Sequence, residues 1–153
     1  MRKVSEQALK ALAGKTLATA ESLTGGGIGA ELTSVSGASA VFKGGIISYC
    51  NEIKHALLGV PTEMLDTYGA VSAPVAKAMA QGARRVLATD VAVSATGLAG
   101  PGGDEFGNPV GTVFIGFSDG KNTIAQECHF SGDRESVRQQ AIQAALELIL
   151  QQI

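Results

Sequence analysis

The sequence predicts an α/β fold, with a mixed and mostly parallel sheet covered by helices on both faces. Three observations carry this. Short strand-like runs of apolar and small residues alternate with helical segments, which favours a parallel sheet buried on both sides. Asp119-Gly120 separates two β-rich runs and marks a hairpin, so at least one strand runs antiparallel. Finally, 153 residues of which 45% are hydrophobic and 17% charged suit one domain, residues 1–153, built on one core.

Val4, Ala8, Leu9 and Leu12 recur at helical spacing, and Gly14 closes that helix. Thr16–Ala20 follows as a strand, and a small-residue helix covers roughly Gly26–Thr33. Val41–Tyr49 reads as the second strand. Asn51 is placed to cap the helix NEIKHALL, which Gly59 and Pro61 end. Val71 and Ser72 open a stronger helix, with Pro74 in its first turn where a missing amide does no harm. Its apolar face is Val75, Met79, Ala83, Val86 and Leu87; Lys77, Gln81, Arg84 and Arg85 lie opposite. Val91–Ala95 is the third strand, and the hairpin and a long helix from Asp133 to about Leu150 complete the chain.

The composition excludes several classes. A net charge of −2 without a basic tract gives no electrostatic footprint for nucleic acid. Apolar runs are too short to span a membrane, and MRKVSEQALK is not a secretory signal, so a cytoplasmic location is expected. Cys50 and Cys128 fit neither a disulfide framework nor a zinc spacing and read as buried free thiols. His55 and His129 are far apart, so neither metal nor cofactor is expected. Self-association is expected, with no stoichiometry implied.

Three glycine-bearing stretches follow strand ends, where open α/β sheets bind ligands. In the first, Glu21-Ser22-Leu23-Thr24-Gly25-Gly26-Gly27, Ser22 reads either as a nucleophile beside oxyanion-holding amides or, with Thr24, as a helix cap. Gly25, Gly27 and Ala30 match a loose dinucleotide pattern, but Glu52 falls inside a helix rather than at a strand end. Gly14-Lys15-Thr16 resembles a P-loop tail, yet position 9 is Leu rather than Gly.

A serine nucleophile needs a base, and the second stretch offers Tyr49, Asn51, Lys54 and His55. Lys54, in the first turn near the positive end of the helix dipole, is expected to have a lowered pKa. At about 100° per residue, Lys54 and His55 do not both face one site. A solvated Lys54 and a half-buried strand aromatic at Tyr49 are the ordinary alternatives. In the third stretch, Thr96 precedes Gly97, Gly100, Gly102 and Gly103, whose exposed amides suit an anionic or flat ligand or simply a permissive loop. Arg134 and Arg138, one turn apart, suit a phosphate or pair with Asp133 or Glu135.

The stretches AESLTGGGIGAELT, FKGGIISYCNEIKHALLGV, YGAVSAPVAKAMAQGAR, SATGLAGPGG, PVGTVFIGF and SGDRESVRQQA together resemble the CinA C-terminal domain family over essentially the whole chain. That family includes stand-alone nicotinamide-nucleotide amidases. The resemblance implies a three-layer α/β/α sandwich and hydrolysis of the nicotinamide mononucleotide carboxamide to nicotinate mononucleotide and ammonia, in pyridine-nucleotide salvage. It implies Ser22 as nucleophile, Lys54 and Tyr49 in proton transfer, and Thr96 in the same site. It also implies substrate contacts from Thr24, Gly25, Gly26, Asn51, Gly97, Gly100 and Gly102, with Arg134 or Arg138 meeting the phosphate. The alternative is a non-catalytic nucleotide-binding module, or a regulatory domain linked to competence and DNA damage.

Overall fold

The computed structural model describes residues 1–153. In chain order the elements are α1 (Arg2–Ala11), β1 (Leu17–Glu21), α2 (Gly27–Thr33), β2 (Phe42–Ile47), α3 (Asn51–Leu58), α4 (Thr62–Tyr68), α5 (Ala73–Leu87), β3 (Val91–Gly97), β4 (Thr112–Ser118), β5 (Thr123–His129) and α6 (Arg134–Gln152). The five strands form one sheet in the order β2-β1-β3-β4-β5. β1 pairs in parallel with β2 and β3, whereas β4 is antiparallel to both β3 and β5. Four strands therefore point one way and β4 alone is reversed, as the Asp119-Gly120 hairpin requires. The mixed α/β sandwich stands as expected.

Strand alternation divides the sheet into two faces. Leu17, Val93 and Ile115 pack beneath α1, α2 and α6 with Ala141, Leu146 and Ile149. Ala18, Ala20 and Ala92 face the other way, toward Val75, Met79 and Ala83 of α5, with Leu58 and Leu65 from α3 and α4. Small residues let α5 lie close on that face. A Cβ on Gly116 would sit 2.4 Å from the Ala76 carbonyl, and the Ser94 hydroxyl donates to that same carbonyl at 2.6 Å. α3 is drawn in similarly, since a Cβ on Gly82 would meet the Leu58 carbonyl at 2.1 Å.

Several details differ from the sequence reading. α4 was not foreseen; its seven residues are too few to display a helical period. Asn51 is the first residue of α3 rather than its cap, and Cys50 takes the cap position without a side-chain bond. Cys50 is exposed and only Cys128 is buried, because the chain at Cys50 has already left the sheet for the helix. β3 continues through Thr96 and Gly97, because pairing with Phe114 and Val113 of β4 extends it. Val86 is 51% exposed; Leu87 instead carries the last core contact of α5. No helix is long and apolar enough to cross a membrane.

Gly82 sets the distance at which α3, and Lys54 upon it, stands from α5. Gly82→Val is expected to destabilise the fold by about 1–3 kcal/mol through overpacking, read as a lowered denaturant midpoint with unchanged m-value.

Candidate active site

β1 lies between β2 and β3, and the chain reaches its two neighbours by separate excursions, so a crevice opens beyond the carboxyl ends of these strands. Ser22 is the first residue past β1. Its amide donates to the Ala95 carbonyl at 3.0 Å, continuing the strand pairing. The chain then turns sharply: Gly25 N–H donates to Ser22 O at 3.1 Å and Gly27 N–H to Thr24 O at 2.9 Å. Gly26 has φ +98°, a conformation L side chains rarely adopt.

Glu21 holds this turn from beneath, a role the sequence reading did not assign. The residue is 2% exposed. Its carboxylate accepts from Thr19 Oγ1 (3.1 Å), Thr24 Oγ1 (2.8 Å), Ile28 N–H (2.8 Å) and Gly29 N–H (3.0 Å). It does for α2 what a serine or aspartate cap does elsewhere, by satisfying first-turn amides. The legible signal was an acidic residue ending an otherwise apolar buried strand, since a buried carboxylate must find donors.

Lys54 reaches into the crevice from α3. Its Nζ lies 3.0 Å from Ser22 Oγ and donates to the Ser48 carbonyl at 2.9 Å. The side chain is 2% exposed. Burial disfavours the ammonium and lowers its pKa from 10.5 to about 8, against a smaller opposing contribution from Cys50. Desolvation, rather than the helix position stressed by the sequence, is thus the leading cause. His55 turns away, its Nδ1 donating to the Val60 carbonyl at 2.8 Å. Of the two bases considered, Lys54 alone meets Ser22.

A cavity of about 310 Å³ opens at this pair, lined by Ser22, Leu23, Tyr49, Asn51, Lys54, Thr96, Gly97, Gly100, Gly102 and Arg134, with Ala70, Val71, Leu98 and Ala99 completing the wall. The size suits a small ligand. Thr96 Oγ1 donates to the Ala70 carbonyl at 2.8 Å, leaving only its lone pairs available. Arg134 donates to the Gly100 carbonyl at 2.7 Å and to the Tyr49 hydroxyl at 3.1 Å, joining the second and third loops. Tyr49 is 64% exposed.

Four expected contact residues do not line the cavity. The Thr24 hydroxyl is committed to Glu21. Gly25 and Gly26 serve the turn, and the Gly25 and Gly27 amides are spent within it. Arg138 donates through Nε to Leu23 O at 3.0 Å and through Nη2 to Thr24 O at 3.3 Å, behind the turn. Of the two arginines, Arg134 is the one at the cavity. Arg138 also lies 3.5 Å from Glu135, the ordinary pairing foreseen for one of them.

Fold and site together define an α/β/α domain with a buried serine–lysine pair at its topological switch point. Residues 1–153 match the family model of the CinA C-terminal domain. The chain is 48% identical over 142 residues to the CinA-like protein of Parasynechococcus marenigrum, covering 92% of this chain and 34% of that protein. With the CinA-like protein of Geobacter sulfurreducens it shares 47% identity over 134 residues, covering 88% and 32%. It superposes on the crystal structure of competence damage-inducible protein A (ComA) from Klebsiella pneumoniae with a TM-score of 0.96 at 32% identity, covering 98% of this chain and 94% of that one. CihA from Agrobacterium tumefaciens gives a TM-score of 0.94 at 36% identity, covering 98% and 93%. This chain belongs to the CinA C-terminal domain family. It spans about a third of the length of the curated relatives named here.

The lowered Lys54 pKa links folding to pH. Between about 8 and 10.5 the unfolded chain holds a proton that the folded chain has released, so stability rises with pH across that window. Below it both forms are charged and folding bears the whole desolvation cost, roughly 3 kcal/mol at most. Lys54→Met is expected to flatten this rise in denaturation midpoints measured from pH 7 to 10.5.

Proposed function

We propose that this domain is a serine-dependent amidase that hydrolyses the carboxamide of nicotinamide mononucleotide to nicotinate mononucleotide and ammonia. The observation that carries the reading is the 3.0 Å approach of a buried, readily neutralised amine to a serine hydroxyl at the mouth of a crevice. A serine hydroxyl is a poor nucleophile until a neighbouring base takes its proton. Lys54 in its neutral form keeps an N–H on the Ser48 carbonyl and offers its lone pair to Ser22. The motif resemblance supplies the substrate.

In the first step Lys54 takes the Ser22 proton as Oγ bonds to the carboxamide carbon, and the carbonyl π pair moves onto oxygen. A backbone amide that the turn after Ser22 leaves free holds that oxygen. Collapse breaks the C–N bond, and the Lys54 ammonium returns its proton to the departing nitrogen, releasing ammonia. Water then attacks the acyl ester as Lys54 accepts its proton. The second collapse frees Ser22, which recovers that proton, and leaves the carboxylic acid, which loses its remaining proton to solvent to give the carboxylate product. Tyr49 is not required as a relay, because Lys54 and Ser22 are already in direct contact.

The remaining cavity chemistry supports the same reading. Thr96, whose own proton is committed, presents an acceptor suited to a carboxamide N–H. Arg134, with the Gly100 and Gly102 amides that donate to no protein acceptor, suits the phosphate. Asn51 at the rim suits the ribose.

Ser22→Ala is expected to abolish ammonia release from nicotinamide mononucleotide while leaving its dissociation constant within about threefold, measured by a coupled ammonia assay and calorimetry. Wild-type turnover in that variant removes the nucleophile assignment. Saturable binding by the wild type with no ammonia makes the domain a nucleotide-binding module instead. For the active enzyme, kcat/KM is expected to rise with pH through about 8, as Lys54 becomes neutral.

A further inference from the structure

The turn after Ser22 leaves one conspicuous donor without a partner. Ser22 O accepts from the Gly25 amide inside the turn. In a trans peptide the Leu23 N–H therefore points the opposite way, out of the turn. That amide donates to no protein acceptor, although Leu23 is only 4% exposed and lines the cavity beside Ser22. Buried amides are rarely left unpaired, so this one is poised for a ligand atom. The other free amides of the turn, those of Thr24 and Gly26, belong to residues outside the cavity wall.

Arg138 decides how firmly this donor is aimed. Its guanidinium bridges the carbonyls of Leu23 and Thr24, fixing the two peptide planes that follow the Leu23 amide. Nη2 lies beside Gly25, whose φ of +58° suits a glycine and lets the chain turn under the guanidinium. With the Gly25-to-Ser22 bond, three consecutive peptide planes are held, and the Leu23 N–H has no freedom to swing away. Arg138 is half-buried on α6 and absent from the cavity wall, so it does not meet the substrate.

We propose that the Leu23 backbone amide is the oxyanion donor of the first tetrahedral intermediate, and that Arg138 is a positioning residue that aims it by clamping the Leu23 and Thr24 carbonyls. This rests on Ser22 being the nucleophile, and not on the identity of the amide substrate.

The test uses a fluorophosphonate, which labels an activated serine whatever the natural substrate: Ser22 Oγ bonds to phosphorus, the P–F bond breaks, fluoride leaves and Lys54 takes the proton. Arg138→Met is expected to slow labelling about 100-fold, the scale of a misaimed oxyanion donor, with the nicotinamide mononucleotide dissociation constant within threefold. Guanidinium in solution is expected to restore part of the rate. Labelling at the wild-type rate in folded Arg138→Met overturns the proposal. So does a tenfold weaker dissociation constant with unchanged labelling, which makes Arg138 a phosphate ligand. If Arg138→Met does not fold, Arg138→Lys, which keeps the charge without the planar fork, is read by the same criteria. A wild type that labels at Ser22 but releases no ammonia overturns the substrate and leaves the clamp standing. One that does not label at all overturns both.

Discussion

The site depends on a lysine amine that the fold has taken out of water and set against a serine hydroxyl. An ammonium is expensive to bury, so such a contact persists only where the surroundings leave the side chain no other course. Here the Ser48 carbonyl receives one N–H and the Ser22 hydroxyl faces a second direction. The backbone of α3 is anchored where Gly82 lets it touch α5, while Arg85 donates to the Leu58 carbonyl at 3.0 Å. The consequence is chemical as well as structural, for the same desolvation that weakens the ammonium prepares the amine to accept a proton.

Holding the hydroxyl in register requires order on its own side of the crevice. Glu21 provides it from within the core by gathering two hydroxyls and two amides around one carboxylate. From the outer layer, the first turns of α6 touch all three crevice loops. Arg134 joins Gly100 to Tyr49, and one turn later Arg138 grips the carbonyls behind Ser22. The i, i+4 spacing places the two arginines on one helix face, yet the loops they meet differ. A single helix thereby sets the relative positions of three segments far apart in sequence.

Much of this was legible beforehand, and the misses have physical causes. Alternation and the Asp-Gly turn sufficed for the sheet, because strand burial and hairpin geometry are local constraints. α4 was invisible because Thr62–Tyr68 makes barely two turns and buries chiefly Leu65. Glycines 25 and 26 read equally well as ligand contacts or as turn residues, since the same lack of a Cβ serves both. The resemblance implies Thr24 and either arginine as substrate contacts, because a motif names functional groups but not what those groups already bind.

By itself the sequence determined the α/β architecture, the three loops aimed at one crevice, and a short roster of groups able to do chemistry. Periodicity and turn residues encode these directly, through interactions among near neighbours. Only the tertiary structure decided that Lys54 rather than His55 meets Ser22, that burial sets its acidity, and that Arg134 faces the cavity while Arg138 stands behind the turn. Those outcomes depend on distances between residues 32 to 115 positions apart. No local pattern carries such distances; they arise when helices pack at separations set by glycines and small side chains on the facing surfaces.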